Sequence, residues 1–440
     1  MTHRHPRIVI VGGGFAGVTL AQELERRVPR SVDLAVISSE NHLAFTPMLP
    51  EVVGRTVSPL HVVVAGRELT RRTRWLEAEL TGVDREAGLA HYRLTDGARA
   101  SLEFTHLVLA CGSTVDLSEI PGLEARGYPL KTVIDAIVMG NDLIGNFESA
   151  AAAPDRADRR RLLTSVVIGG GFSGVEVAGH IADLMRAIHC YYPEVKGTPP
   201  RVVLLHRHDR ILPELHHRSL SEFALVKLRA NGIDVRLGTS ARRVTPEDVE
   251  LDNGDTLPAG LVVCTVGTAT RPVVRELGLP LEHGRLRTDP DMQVCGAPGL
   301  WAIGDCALVP NAHDGKPCPA TAQFATQQAR QLARNLASVV ARRPTAPFSY
   351  RPRGLLAAIG HRNAVAEIYG VQLSGFIAWF LWRGVYLWKL PTFGRKIEVA
   401  VGWAWSLFFA PNIVQLRGRA PAGARRPAAG KDLHEHHAQR

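Results

Sequence analysis

Residues 7–17 read RIVIVGGGFAG, and residues 165–174 read SVVIGGGFSG. Each is a short β-branched run that ends in glycines and opens into a helix-forming stretch, Val18 to Arg27 and then Val175 to Cys190. An apolar strand follows each helix, Val32 to Ile37 and Arg201 to Leu205. Strand, tight turn, helix and strand make a βαβ unit. Two such units 157 residues apart (169 minus 12) predict an α/β chain with two doubly wound, Rossmann-like domains.

The glycine spacing adds chemistry to that fold. Gly12, Gly14 and Gly17 form one GxGxxG, and Gly169, Gly171 and Gly174 form another. The first glycine allows the tight turn, the second lets backbone approach a pyrophosphate, and the third lets helix and strand pack closely. Phe15 and Ala16, and likewise Phe172 and Ser173, open the helices whose N–H groups and dipole face the phosphates. One such motif is a weak signal; two in the same context predict two bound dinucleotides. Units of this kind place an acid after the second strand to hold ribose hydroxyls. The first copy has Ser38 there and Glu40 two residues on, so Glu40 is the candidate. The second has His206, Arg207 and His208, a set without an acid that would accept the 2′-phosphate of NADPH as well as NADH.

A chain of 440 residues exceeds one ordinary core, and 45% hydrophobic with 21% charged residues describes a globular protein. Much of the net charge of +10 sits in two runs, Arg156 to Arg161 and Arg417 to Arg440. No basic stripe interleaved with base-stacking aromatics appears, which argues against nucleic acid. Cys111, Cys190, Cys264, Cys295, Cys306 and Cys318 show no CxxC pair and no zinc spacing. No metal site and no disulfide framework are therefore expected, and a reducing, cytoplasmic compartment fits. No signal-peptide core and no uncharged apolar run of about 18 residues is present, so no membrane span is expected. The expected organisation is a first dinucleotide domain in 1–150 and 291–350, a second in 151–290, a C-terminal segment in 351–417 and a disordered tail in 418–440. Within it, Ser149 to Arg161 reads as a helix end plus linker, and Gly296 to Ala307 as a strand returning to the first domain. Asp248 to Leu257 reads as a hairpin turning at Asn253-Gly254.

Other motifs carry a resemblance over nearly the whole chain, Arg7 to Leu416. The chain resembles the flavoprotein disulfide reductase superfamily, and within it type II NADH dehydrogenases, the single-subunit NADH:quinone oxidoreductases. Leu107 to Ser113 is similar to the ATG motif at which a strand returns to the FAD, with Cys111 where threonine is usual. Gly299 to Ala307 is similar to the second FAD motif. The resemblance makes Ala110, Gly112, Gly304 and Asp305 FAD contacts, with Asp305 on the ribityl chain. Asn41 to Pro50 looks like the loop against the isoalloxazine, which singles out Thr46 and Pro47. Gly174-Val175-Glu176 resembles the family's GVE, whose glutamate lies on the nicotinamide side of the flavin. Four residues on, where relatives often carry a second glutamate, stands His180. Ala322 to Gln327 matches AQxAxQ, and Gln323 and Gln327 share a helical face from which to hydrogen-bond a quinone. Glu176, Gln323 and Gln327 are thus the expected catalytic residues, and Gly267 joins the expected cofactor contacts.

Five of the seven tryptophans fall between Trp379 and Trp405, among Phe376, Phe380, Tyr386, Phe408 and the cations Arg383, Arg395 and Lys396. Tryptophan and tyrosine favour the headgroup level of a bilayer, and lysine and arginine reach anionic lipid. The expectation is an amphipathic, peripheral segment on the cytoplasmic side of the cell membrane, where a membrane quinone arrives. A homodimer interface or core packing would use the same residues. Because the cofactor motifs lie outside it, the segment is expected to be removable without unfolding the rest. The expected activity is electron transfer from NADH, with NADPH as a further donor, through FAD to quinone without ion pumping. Its rivals are a sulfide:quinone oxidoreductase and a nicotinamide-sensing flavoprotein that acts by binding a partner.

Overall fold

A computed structural model of the chain describes residues 6–415 apart from position 361, so the tail expected at 418–440 lies outside the described residues. The RIVIV run forms the strand Arg7–Val11, with Val9 opposite Ala35 on one side and Leu107 on the other. It stands within five parallel strands, in the order Leu300–Ala302, His106–Leu109, Arg7–Val11, Asp33–Ser38 and Arg74–Asp84. The antiparallel strands Leu89–Leu94 and Arg99–Glu103 extend this sheet. The second copy forms Thr164–Ile168, buried throughout, at the centre of a five-stranded parallel sheet. Its neighbours are Leu261–Cys264 and Arg201–His206, with Gly127–Pro129 and Ile233–Leu237 at the edges. Near-continuous Val, Ile and Leu in both central strands reflects burial on both faces.

Both glycine-turn helices begin at the turn itself, Phe15–Arg27 and Phe172–Ile188, three residues before the apolar pattern suggested. The hairpin at Asn253-Gly254 is present, with Val249 opposite Leu257 and Gly254 at φ +88. The arginine run is no linker: the side chain of Asp155 caps a helix over Arg156–Leu162. Position 150 also falls inside the helix Val133–Ala152, which packs in the second core. In the other direction, Val274, Leu279 and Leu286 pack in the first core.

The C-terminal region has more structure than an amphipathic segment. Gly354–Gly360, Asn363–Ile368 and Val371–Ser374 form an antiparallel sheet, followed by helices Gly375–Lys389 and Phe393–Trp405. Ala378, Trp382, Val399 and Trp403 are buried in the same core as the second dinucleotide domain. Phe376, Ile377, Phe380 and Trp388 of one helix, and Phe393, Ile397, Val401 and Trp405 of the other, point outward. The region is therefore not removable as expected, because deletion would strip the cover from the second core. Among the described residues no helix is long and apolar enough to cross a membrane.

Glycine decides how closely the C-terminal sheet seats. A Cβ on Gly179, inside the helix Phe172–Ile188, would stand 2.7 Å from the backbone oxygen of Ile359. A Cβ on Gly384 would meet nothing within 4 Å. Gly179→Ala should lower the thermal midpoint, by about 1–3 kcal/mol of overpacking, with the gain in helix propensity offsetting only part. Gly384→Ala should leave the midpoint unchanged or raise it. Calorimetry of the two variants checks this, and equal midpoints would remove the close-approach account.

Candidate active site

The first cradle is built by exclusion of side chains. Gly12 sits at φ +115, where a Cβ would run into the carbonyl of Ala110, and a Cβ on Gly17 would run into the carbonyl of Gly12. Gly14 differs: nothing lies within 4 Å of where its Cβ would be. The helix behind it has no side-chain cap and no acid in its first turn. Phe15, Ala16 and Gly17 thus present free N–H groups to an open space, as a pyrophosphate requires. Glu40 stands half-exposed past the end of the strand Asp33–Ser38, its N–H donating to Ser38 Oγ at 3.3 Å. Thr46 and Pro47 begin a short turn after Phe45, whose ring meets Phe15 edge-on at 5.7 Å.

Around the returning strands, Ser113 Oγ donates to Asp305 Oδ2 at 3.1 Å, and Lys131 Nζ donates to Ser113 Oγ at 3.3 Å. Gly112 and Gly304 take left-handed φ values of +67 and +75 that seat the adjacent turns. The N–H of Gly304 donates to Gln328 Oε1 at 2.7 Å, so buried Gln328 fixes the Asp305 turn. This role was missed in the sequence, where Gln323 and Gln327 drew attention by their spacing. Gln323 Nε2 donates to the hydroxyl of Tyr350 at 2.7 Å, and Gln327 is half-buried. Cys111 and Cys306, far apart in sequence, are neighbouring free thiols because each follows one of two paired parallel strands.

The second cradle repeats the first, with Gly169 at φ +115, Gly174 against the carbonyl of Gly169, and an uncapped helix over Phe172 and Ser173. Its details differ. His206 is buried and its Nδ1 accepts the N–H of Gly170 at 3.1 Å, so it braces the turn and is not offered to a ribose. A Cβ on Gly171 would stand 2.9 Å from Glu214 Oε1, a carboxylate whose pKa burial pushes up. Gly267, at φ +74, lies against the carbonyl of Asp116 and the carboxylate of Glu119.

Where this domain, the Phe45 loop and the C-terminal helices meet, two carboxylates are buried. Glu176 Oε1 accepts the N–H of Ala358 at 3.0 Å. Burial pushes its pKa up to about 8, opposed by that bond, while the charge of Glu51 raises it further. The indole N–H of Trp382 also favours the charged form from nearby, without the geometry of a full hydrogen bond. Glu51 Oε1 and Oε2 accept the indole N–H of Trp403 at 3.0 and 3.1 Å. His180 is buried beside them, and desolvation pushes it down to about 4, so its ring is neutral at physiological pH. Tyr386 bridges to the first cradle, with Trp382 at 4.5 Å and Phe45 at 6.0 Å between ring centroids. Glu51 was not assigned a role from sequence, where a glutamate within the apolar stretch Leu49–Val53 was the available signal, and Trp382, Trp403 and Tyr386, expected at the lipid headgroup level, pack inward instead.

Two uncapped phosphate cradles on two doubly wound sheets define a dinucleotide-dependent oxidoreductase. The sequence matches the pyridine nucleotide-disulphide oxidoreductase family over residues 6–329 and the NDH2 C-terminal domain over residues 353–411. The chain belongs to the pyridine nucleotide-disulphide oxidoreductase family. It is 31% identical over 417 residues to the demethylphylloquinone reductase NdbB of Synechocystis, covering 92% of this chain and 96% of that one. It is 28% identical over 415 residues to the type II NADH:quinone oxidoreductase Ndh of Mycobacterium tuberculosis, covering 91% and 88%. In fold it is similar to NDH2 from Plasmodium falciparum solved in complex with NADH, at a TM-score of 0.86 and 18% identity, covering 93% of this chain and 100% of that one. The sulfide:quinone oxidoreductase of Aquifex aeolicus also superposes, at a TM-score of 0.67 and 17% identity over 94% and 96%. FAD and NADH are the cofactors.

The open space at Gly14 and the carboxylate beside Gly171 separate the two cradles experimentally. Gly14→Val should yield protein that has lost most of its yellow flavin absorbance, because the side chain fills the space left for phosphate. Gly171→Val should keep the flavin and lose bleaching by NADH. Flavin spectra with and without NADH read both outcomes; the reverse pattern would exchange the two assignments.

Proposed function

We propose that the chain oxidises NADH and reduces a quinone through FAD, with no ion pumping. The observation that carries this is the placing of the C-terminal helices. Their inner face reaches the Phe45 loop through Tyr386, while their outer face is a row of exposed apolar side chains. An acceptor dissolved in a bilayer could thus approach the flavin loop from the docked face. The names of the relatives, a demethylphylloquinone reductase and a type II NADH:quinone oxidoreductase, support the same acceptor class.

In this proposal the first cradle holds FAD through Gly12, Gly14 and Gly17, with Glu40 on the adenosine ribose and Asp305 on the ribityl chain. Gly169, Gly171 and Gly174 hold the nicotinamide dinucleotide. FAD, when bound, supplies hydride acceptance and two-electron transfer. The protein orients it by the Thr46-Pro47 turn and the Gln328-braced Asp305 turn. Glu176 holds a proton on the nicotinamide side, and Gln323 and Gln327 lie where a quinone carbonyl would be bound. Arg207 and His208, both exposed, leave room for the 2′-phosphate of NADPH. Anaerobic mixing with NADH, and separately NADPH, should bleach the flavin, and a short-chain quinone should restore the colour over many turnovers. A long-lived charge-transfer complex with slow turnover would favour the sensor reading instead.

The outer face docks on the cytoplasmic side of the cell membrane, with anionic lipid drawn by Lys396, while Arg395 is held by the Val63 carbonyl and Glu398. Phe376, Phe380 and Phe408 are 60%, 69% and 81% exposed, far more than a soluble surface usually offers in one patch. Replacing all three with serine should abolish flotation with anionic liposomes, since each buried aromatic contributes about 1.5–3 kcal/mol. FAD content should be unchanged, because none of the three is in the core. Undiminished flotation would overturn docking by this face. A parent dimer whose triple variant is monomeric would assign the face to a homodimer.

A further inference from the structure

A cavity of about 180 Å³ runs between the second dinucleotide domain and the C-terminal helices. Its inner end is formed by buried Glu51, His180 and Trp382, and its outer end by exposed Arg362 and Leu407. At about 30 Å³ per molecule it has room for about six waters. Its wall carries the polar side chains of Glu51, Thr56, His180, Asp183 and Ser406, and it reaches the surface at Arg362 and Leu407, so it is polar and roomy enough to hold water drawn from solvent.

We propose that Glu51 is a proton-holding residue that takes protons from water in this cavity and passes them to Glu176. The inference rests on the quinone-reductase function proposed above. Reduction of a quinone by NADH consumes one proton from solution, since the hydride brings only one of the two hydrogens that the quinol gains. Glu51 gives its proton to ionised Glu176 and is left as a carboxylate, held by the Trp403 N–H and by the charge of Arg383. A proton from cavity water then restores it. The groups around Glu51 are arranged for such an exchange. From the helix Phe172–Ile188 come Glu176, His180 and Asp183, and from the helix Gly375–Lys389 come Arg383 and Tyr386. Trp403 comes from the last helix, and Arg362 from the turn between the strands Gly354–Gly360 and Asn363–Ile368. On the side of the helix Val133–Ala152, Arg55 is turned to Asn141 Oδ1 at 2.9 Å. Arg383 is itself fixed, its guanidinium 4.0 Å from the Trp379 ring centroid and 4.6 Å from that of Trp403. Burial raises Glu51 to about 7, against the pull of Arg383 and Trp403, so both of its forms are populated at neutral pH.

The test uses full-length protein with FAD bound. Quinone turnover by the wild type should fall as pH rises through about 7, because Glu51 then loses its proton. Glu51→Gln, which keeps an acceptor for Trp403, should slow quinone turnover by about tenfold or more and remove that limb of the pH profile. Glu51→Asp should restore part of both. Difference infrared spectra should show a protonated carboxyl band, sensitive to deuterium and absent in Glu51→Gln, which persists to higher pH in Trp403→Phe. An unaltered pH profile in Glu51→Gln, or a carboxyl band that does not depend on Glu51, would overturn the proposal. If Glu51→Gln fails to hold FAD, the infrared titration of wild type against Trp403→Phe decides the question alone. A wild type that bleaches with NADH but reduces no quinone would end the quinone-reductase function, while that titration still reports whether Glu51 holds a proton.

Discussion

Everything in this molecule hangs on a steric constraint met twice: a helix must start where a strand ends, with no side chain between them. Gly12 and Gly169 take the same φ of +115, and Gly17 and Gly174 bring each helix onto the carbonyl of the turn. Any other residue would push helix and strand apart and close the space at Gly14. The helix dipole and free N–H groups then come at no additional structural cost, because an uncapped helix end is what the turn leaves behind. Fold and cofactor binding share one cause here.

A second constraint acts at the C-terminal helices, each of which must satisfy two environments. Residues four apart give each helix two apolar stripes, Ala378 and Trp382 inward with Phe376 and Phe380 outward, and Val399 and Trp403 inward with Ile397, Val401 and Trp405 outward. The inward stripe completes a protein core and buries Glu51 and Glu176, leaving Glu51 in contact with the cavity that opens at Arg362. The outward stripe stays exposed, with Trp405 stacking on Phe409 at 4.0 Å between ring centroids. Apolarity all round would suit a spanning helix, but helices of 15 and 13 residues are too short for a bilayer of about 20 residues' span.

The two βαβ units, the returning strands and the hairpin were legible in the sequence because each depends on local chemistry: glycine turns, β-branched runs and an Asn-Gly turn. What was not legible depends on contacts between distant segments. The role of Gln328 follows from its contact with Gly304 across the first domain, and i, i+4 spacing pointed one residue away to Gln327. Glu51 reads as one acid in a short apolar helix until Trp403 is seen 352 positions away. The C-terminal sheet was masked by the aromatic composition that follows it. Pairing of Gly354–Gly360 with Asn363–Ile368 buries consecutive residues on both faces, Ala357 to Ile359 and Ala364 to Ala366, so no apolar alternation marks these strands in sequence. Of the helix end plus linker expected over Ser149 to Arg161, the helix end is present at Ala152, but the linker fails at Arg156–Leu162, where Asp155 caps a new helix directly after Pro154.

The second cradle shows how one substitution redistributes roles. An acid at the end of Arg201–His206 would face the ribose, yet His206 turns inward and accepts the Gly170 N–H. Desolvation holds the His206 pKa down, with the charges of His208 and Arg207 acting in the same direction, so the ring stays neutral and can accept. The residues that follow, Arg207 and His208, are exposed and linked by a 3.1 Å contact between Arg207 Nε and His208 Nε2. Glu214 lies across the cradle near Gly171, where a carboxylate and a pyrophosphate would repel each other unless the acid moves or takes up a proton. Its raised pKa eases the second course. The second turn is thus covered by a loop, with Leu212 donating its N–H to the Gly170 carbonyl at 2.7 Å, whereas nothing lies within 4 Å of a Cβ placed on Gly14 in the first.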